Sequence, residues 1–183
     1  MTSTSFVEHK KYIKLAPKQY EVWKIIVLEY EQYSYPDDLE MVSNKIRSKL
    51  IASNHPKSKF KFCPPKFREI NKNNPLFGHC YHATQAMYYF FKDANLKAMS
   101  AKCQGPAGQH WWLQDGDKII DITAEQYDMF DFDPPYDKGK ETKWYGWKNR
   151  PHRKTQELMR LVRGKNKTKL EHKVLMEKPK KSY

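Results

Sequence analysis

Gln109-His110-Trp111-Trp112-Leu113-Gln114-Asp115-Gly116-Asp117-Lys118-Ile119-Ile120-Asp121-Ile122 is the stretch that decides how this chain is read. Two runs rich in tryptophan and isoleucine flank Asp-Gly, the strongest short-range signal for a β-hairpin. With Asp115 and Gly116 as the two loop residues, Gln114 pairs with Asp117, Trp112 faces Ile119, and His110 faces Asp121. Side chains paired in this way share one face of the sheet with Cβ atoms about 5 Å apart, close enough for an imidazole and a carboxylate to hydrogen-bond.

Outward from the hairpin, Lys97 to Cys103 reads as a preceding strand, separated from the strand at Gln109 by the Gly-Pro loop Gln104-Gly105-Pro106-Ala107-Gly108. The third strand spans Asp117 to Ile122. Upstream, Ala83, Ala86, Met87, Phe90 and Phe91 fall on one face of a helix running from Gly78 to about Asn95, with Cys80 in its first turn. Two further helices are expected near the N-terminus, one from Pro17 to about Tyr33 and one carrying Leu39, Val42, Ile46 and Leu50. A short helix follows Thr123, and a last one begins at Pro151 to Thr155 and stops at Gly164. The expected fold class is α+β: an antiparallel sheet with the Cys80 helix on one face and extra N-terminal helices. Residues 1–54 form a helical segment packing on a core of residues 55–163. Residues 164–183 form a basic tail, and from Lys165 onward it holds seven lysines against two glutamates.

The chain has 183 residues, enough for one domain with a core of its own. Its net charge of +13 draws polyanions, so the expected partners are an acidic protein or nucleic acid. No window reaches the roughly 18 apolar residues of a membrane span, and Met1-Thr2-Ser3-Thr4-Ser5 lacks a signal-peptide pattern, which points to a cytoplasmic setting without membrane association. Cys63, Cys80 and Cys103 are an odd number at wide spacings, unlike a disulfide framework or a zinc knuckle. His79, Cys80, His82 and His110 could offer soft metal ligands. Neighbours at a helix start diverge, however, and no second Cys-x-x-Cys completes a site, so neither a metal nor another cofactor is expected, and His79 and His82 are read as supporting or surface residues.

From His55 to Arg68 the chain alternates Lys57, Lys59, Lys61, Lys66 and Arg68 with Phe60, Phe62 and Phe67, and carries no acid. Pro56, Pro64 and Pro65 argue for an extended connection. Such a composition suits a groove that tracks a nucleic-acid backbone and stacks bases. The competing reading, given more weight, puts the phenylalanines in the core and leaves the lysines in water.

The pairing of His110 with Asp121 supplies two parts of a catalytic triad. A carboxylate beside a histidine fixes the tautomer and leaves the other ring nitrogen free to take a proton from a nucleophile. The candidate nucleophile is Cys80, because a helix N-terminus and an imidazolium both favour a thiolate. The alternative for the His110–Asp121 pair is a half-buried ion pair that stiffens the hairpin. The Cys80 amide at the helix start is one candidate oxyanion donor. Asn73, Asn74 and Gln109 are candidates for a second, and Gly78 and Trp111 are weaker candidates for substrate contact, Gly78 because it leaves room beside the backbone.

The order Gly78-x-Cys80, helix, His110-Trp111, then Asp121-Ile122-Thr123 resembles the core of the papain-like and transglutaminase-like superfamily, although Ile122 stands where those proteins usually have proline. Gly78-His79-Cys80-Tyr81, His110-Trp111-Trp112-Leu113, Ile120 to Gln126, Pro134-Pro135-Tyr136 and Lys154-Thr155-Gln156-Glu157-Leu158 are also similar to a family of small tailed-phage proteins, over roughly residues 73 to 163. The resemblance implies a viral origin, a Cys-His-Asp thiol site and acyl transfer through a thioester, spanning peptidases, amidases, deamidases and transglutaminases. The expected function is therefore a thiol hydrolase or acyl transferase. The alternative is a non-enzymatic basic nucleic-acid-binding viral protein on the same fold.

Overall fold

The computed structural model describes residues 33–145 and 151–164; the helix expected at Pro17 and the basic tail lie outside the described residues. In chain order the principal elements are α1 (Leu39–Ser53), α2 (Arg68–Asn73), α3 (Cys80–Phe90), β1 (Lys97–Lys102), β2 (Gln109–Asp115), β3 (Lys118–Ile120), β4 (Lys140–Glu141) and α4 (Arg153–Arg163). The strands form one antiparallel sheet in the order β3-β2-β1-β4. The α+β class expected from the sequence is therefore the observed one. None of the helices among the described residues is long and apolar enough to cross a membrane.

Helix α3 is the hub. The spacing predicts one apolar face, but Cys80, His82, Ala83, Thr84, Gln85, Ala86, Met87, Tyr89 and Phe90 are all buried, so the helix is covered on most sides. It packs on β2, where Thr84 Oγ1 donates to Trp111 O at 2.9 Å, and it is also packed against α1 and α4. α1 offers Val42, Ile46 and Leu50 at a spacing of four, each fully buried. α4 offers Thr155, Leu158, Met159 and Val162. Burying three such aliphatic side chains contributes on the order of 5 kcal/mol of transfer free energy per helix, which is why short helices of modest propensity are stable here. α3 ends at Phe90, earlier than expected, and a 3₁₀ turn at Lys92–Ala94 leads to Asn95 in the left-handed region at φ 52°.

The hairpin exists, but its register differs from the expectation. Asp115 pairs with Lys118, Gln114 with Ile119 and Leu113 with Ile120, so the two loop residues are Gly116 and Asp117. Gly116 has φ +55° and is the first central residue, while Asp117 keeps a negative φ. That is the type II′ pattern, in which glycine leads the turn and does not follow it. The pairing moves by two residues, an even number, so no side chain changes face. His110 and Asp121 thus stay on one side of the sheet as diagonal rather than directly opposed neighbours. β3 is also shorter than expected and ends before Asp121. The edge strand β4 has no periodicity that would have revealed it, since its Lys140 and Glu141 are both exposed.

Two of the three phenylalanines of the Lys/Phe segment turn inward. Phe62 and Phe67 are buried and Phe60 is half-buried, and a 3₁₀ turn at Pro65–Phe67 interrupts the expected extended path. Lys57, Lys59, Lys66 and Arg68 remain exposed. Lys61 does not, because its ammonium donates to His55 O at 2.5 Å and reaches Ser53 O and Pro56 O at 3.4 Å. A cation at the carbonyl end of α1 complements the helix dipole, so Lys61 belongs to the fold rather than to a partner surface.

Candidate active site

Cys80 is the first residue of α3, preceded by His79 in a helical cap conformation. An amide at this position has no intrahelical acceptor, and the positive end of the helix dipole lies beside the thiol. Cys80 is 7% exposed, and its Sγ lies 3.7 Å from Gln109 O. His110 and Trp112 project from one face of β2, their rings stacked with centroids 5.8 Å apart. Tyr127 closes the other side of the imidazole edge-on at 4.9 Å, leaving His110 fully buried.

The ring is held by its Nε2. That nitrogen lies 2.6 Å from Asp121 Oδ2, with both side chains at most 3% exposed. Asp121 also accepts from Tyr136 Oη at 2.8 Å on the same oxygen, and from Thr123 N and Thr123 Oγ1, each at 2.9 Å, on Oδ1. The bond from Thr123 N is an Asx turn, the local reason the chain leaves β3 at this point. Burial works against the Asp121 carboxylate, but the His110 hydrogen bond and charge, with Thr123 and Tyr136, overcome it and hold the group below its ordinary range. For His110, burial opposes the imidazolium. Hydrogen bonds and charge from Asp121 and Cys80 outweigh that, and push it up to about 9. With Nε2 committed to Asp121, any proton exchanged with the thiol would pass through Nδ1, against which Gln126 Nε2 lies at 3.2 Å.

Two clamps from elsewhere in the fold hold the Asp121 loop. Arg47 on α1 donates to Ile122 O at 3.0 Å and pairs with Glu125. Asn74 is buried and donates from Nδ2 to Gln126 O at 2.7 Å, so its role is to brace the segment carrying Thr123 and Gln126. Gln109 donates from Nε2 to Ser100 Oγ at 2.8 Å and accepts from Tyr145 Oη at 2.5 Å, which commits its side chain elsewhere too. Trp111 points into an aromatic cluster, edge-on to Tyr81 and stacked on Trp144. Asn73 is exposed at the end of α2. The space expected beside Gly78 is filled: a Cβ there would meet Phe67 Cδ2 at 2.8 Å, and its φ of +78° alone calls for glycine. Of the expected oxyanion donors, Asn74 and Gln109 are committed elsewhere and Asn73 is exposed, while the Cys80 amide lies at the thiol itself.

His79 and His82, expected to be supporting or surface residues, are both buried, which excludes the surface role. His79 Nε2 meets Asn54 Oδ1 at 3.0 Å, and His82 Nδ1 meets Thr155 Oγ1 at 2.9 Å. Burial, with Lys154 nearby, pushes His79 down to about 4, and burial with His152, Lys154 and His79 pushes His82 down to about 3. Both are neutral helix-packing groups. No cluster of three or more metal-ligating side chains exists among the described residues. Sequence reasoning missed Tyr136, Thr123, Gln126 and Tyr127 as site residues. A threonine two positions after an aspartate was a readable Asx-turn signal, whereas Tyr136 and Tyr127 arrive through irregular chain that carries no such signal.

The two shifts have opposite consequences for stability. Asp121 is depressed, so its contribution is present above the ordinary carboxylate value and is lost as pH falls through its folded value. His110 is raised, so its contribution is complete below pH 6.5 and fades as pH rises toward 9. In a Cys80→Ala variant no thiol proton exchanges with the ring and Asp121 alone opposes burial, so the melting temperature should fall from pH 6.5 upward over a window that ends short of pH 9. Adding Asp121→Asn should flatten that fall; an unchanged slope would mean that His110 is not held protonated by Asp121.

The fold and site together define an α+β chain with a buried thiol–imidazole–carboxylate constellation at the start of a central helix. In comparisons with known proteins, the chain matches no family model, no curated protein and no solved structure.

Proposed function

We propose that this protein is a thiol-dependent hydrolase or acyl transferase, with Cys80 as nucleophile, His110 as its base and Asp121 as the residue that orients the histidine. The observation that carries the reading is the His110 Nε2–Asp121 Oδ2 contact of 2.6 Å on a ring whose basicity the Cys80 side chain raises. In the first half-reaction the Cys80 sulfur attacks an acyl carbon, Nδ1 takes the thiol proton and returns it to the leaving group, and a thioester remains. In the second, water or an amine attacks the thioester, His110 accepts the proton of that nucleophile, and the Cys80 sulfur is released. The Cys80 amide is placed to donate to the developing oxyanion. The proposal keeps the papain-like and transglutaminase-like resemblance for the core, and with it a phage protein acting in the host cytoplasm on amide or isopeptide bonds.

The reaction is tested with p-nitrophenyl acetate, which needs no knowledge of the natural substrate. Expected are a burst of p-nitrophenol and the mass of one acetyl group on the peptide containing Cys80, released by hydroxylamine. Acetylation confined to lysines would end the proposal. A second reading is favoured by the exposed Lys57, Lys59, Lys66 and Arg68 within a chain of net charge +13: a basic face for nucleic acid or an acidic protein, either locating the substrate or acting without catalysis. Steep loss of DNA affinity with salt would support the nucleic-acid form of that reading, and flat, weak binding would remove it.

A further inference from the structure

Gln126 was not among the residues read from the sequence as chemical, yet its amide sits against the His110 nitrogen that must accept the thiol proton. Its Nε2 lies 3.2 Å from His110 Nδ1, 3.0 Å from Thr123 O and 3.1 Å from Thr123 Oγ1. Its backbone is held on both sides, since its N–H donates to Thr123 O at 3.0 Å and its carbonyl accepts from Asn74. The side chain is 1% exposed, and its Oε1 is buried with no hydrogen-bond partner.

The amide's orientation follows from its neighbours. Thr123 O can only accept. The Thr123 hydroxyl gives its proton to Asp121 Oδ1, so toward Gln126 it too presents a lone pair. Turning the amide over would set Oε1 against these two acceptors. The nitrogen is therefore turned toward them, and its two hydrogens serve three acceptors within 3.2 Å: Thr123 O, Thr123 Oγ1 and, whenever it carries no proton, His110 Nδ1. The contacts close a ring: Asp121 Oδ2 to His110 Nε2, His110 Nδ1 to Gln126 Nε2, Gln126 Nε2 to Thr123 Oγ1, and Thr123 Oγ1 to Asp121 Oδ1.

We infer that Gln126 is a positioning residue that sets the state of His110 from the side opposite Asp121. One carboxylate thereby governs both ring nitrogens, directly at Nε2 and through Thr123 and Gln126 at Nδ1. A donor aimed at Nδ1 stabilises the neutral ring with its proton on Nε2, which is the tautomer a general base needs. The same donor opposes the imidazolium, because a proton on Nδ1 would face an N–H. Gln126 thus acts against Asp121 on basicity while agreeing with it on tautomer, and proton transfer from Cys80 displaces the Gln126 amide from Nδ1. The other groups around the ring are Cys80 from the start of α3, Asp121 after β3, and Tyr127 and Tyr136 from the 3₁₀ turns; Cys103 reaches it through Tyr127 Oη at 3.1 Å. Of these, Asp121 and Cys80 carry or can carry a negative charge next to the ring, and the neutral amide joins burial in favouring the uncharged imidazole.

This inference deepens the triad reading, but its test does not use the thiol. In Cys80→Ala protein, the His110 imidazole is titrated by NMR through its ring nitrogens. With Gln126 in place the neutral ring should carry its proton on Nε2. Gln126→Met keeps the size and removes the donor, and should raise the midpoint by about 0.7 pH unit, the equivalent of one ordinary hydrogen bond. An unchanged or lowered midpoint would overturn the inference, as would a neutral ring protonated on Nδ1. If Gln126→Met fails to fold, Gln126→Leu is titrated in its place, with the same expected rise and the same overturning outcomes. An inert Cys80 would end the catalytic reading and leave this result standing, and the reverse outcome separates them equally well.

Discussion

His110→Ala should lower the rate of Cys80 acylation at neutral pH by about a hundredfold or more while leaving the fold in place, the range expected when a positioned general base is removed. The ring is fully buried between Trp112 and Tyr127, but the apolar core around α3, with Phe90, Met87, Leu50 and Leu158, is built from other residues. Replacing the imidazole opens a space beside Trp112 and Tyr127, which costs stability of the size seen for other large-to-small changes, about 2–4 kcal/mol. Activity and stability therefore separate. A variant that melts cooperatively yet acylates slowly is the expected result, and equal acylation rates in a folded variant would remove His110 from the mechanism.

Asp121→Ala should be the most damaging change to stability at the site, at about 3–5 kcal/mol. Four donors converge on the carboxylate, from His110, Tyr136, Thr123 N and Thr123 Oγ1. Alanine would strand all of them in a buried setting, each at a desolvation cost. Asp121→Asn keeps the volume and two acceptor lone pairs, so it should cost less. Its amide would present N–H to one of the donors, and the tautomer of His110 would be disturbed. Chemical denaturation of the two variants measures this: a larger loss for alanine than for asparagine is expected, and equal, small losses would show that the ring of hydrogen bonds contributes little.

The core of the site was legible because its two halves are local in sequence or tied by a rule. The hairpin follows from Asp115-Gly116 and its flanking runs. Its side-chain alternation survives even though the turn is Gly116-Asp117, since a shift of two preserves the face. Cys80 was legible because a helix begins there. Residues that the chain brings in by long, irregular paths were not. Tyr136 reaches Asp121 from a 3₁₀ turn after Pro134-Pro135, and Asn74 reaches Gln126 O across the molecule; neither is preceded by any periodicity. Gly78 was misread for a physical reason. A glycine before a nucleophile suggests open space, whereas here the missing Cβ accommodates the Phe67 ring. In the Lys/Phe loop, Phe62 and Phe67 are buried, as the more heavily weighted reading of its composition expected.

Cys80 as an activated nucleophile is tested most directly by brief labelling with iodoacetamide at pH 6, followed by mass mapping of all three cysteines. Burial pushes the thiols of Cys63 and Cys103 up, so both should react slowly at that pH. Cys80, at a helix start beside a ring whose pKa is raised to about 9, should take the label first, and His110→Ala should abolish its lead. Label appearing on Cys63 or Cys103 before Cys80, or a lead that persists without His110, would contradict the triad.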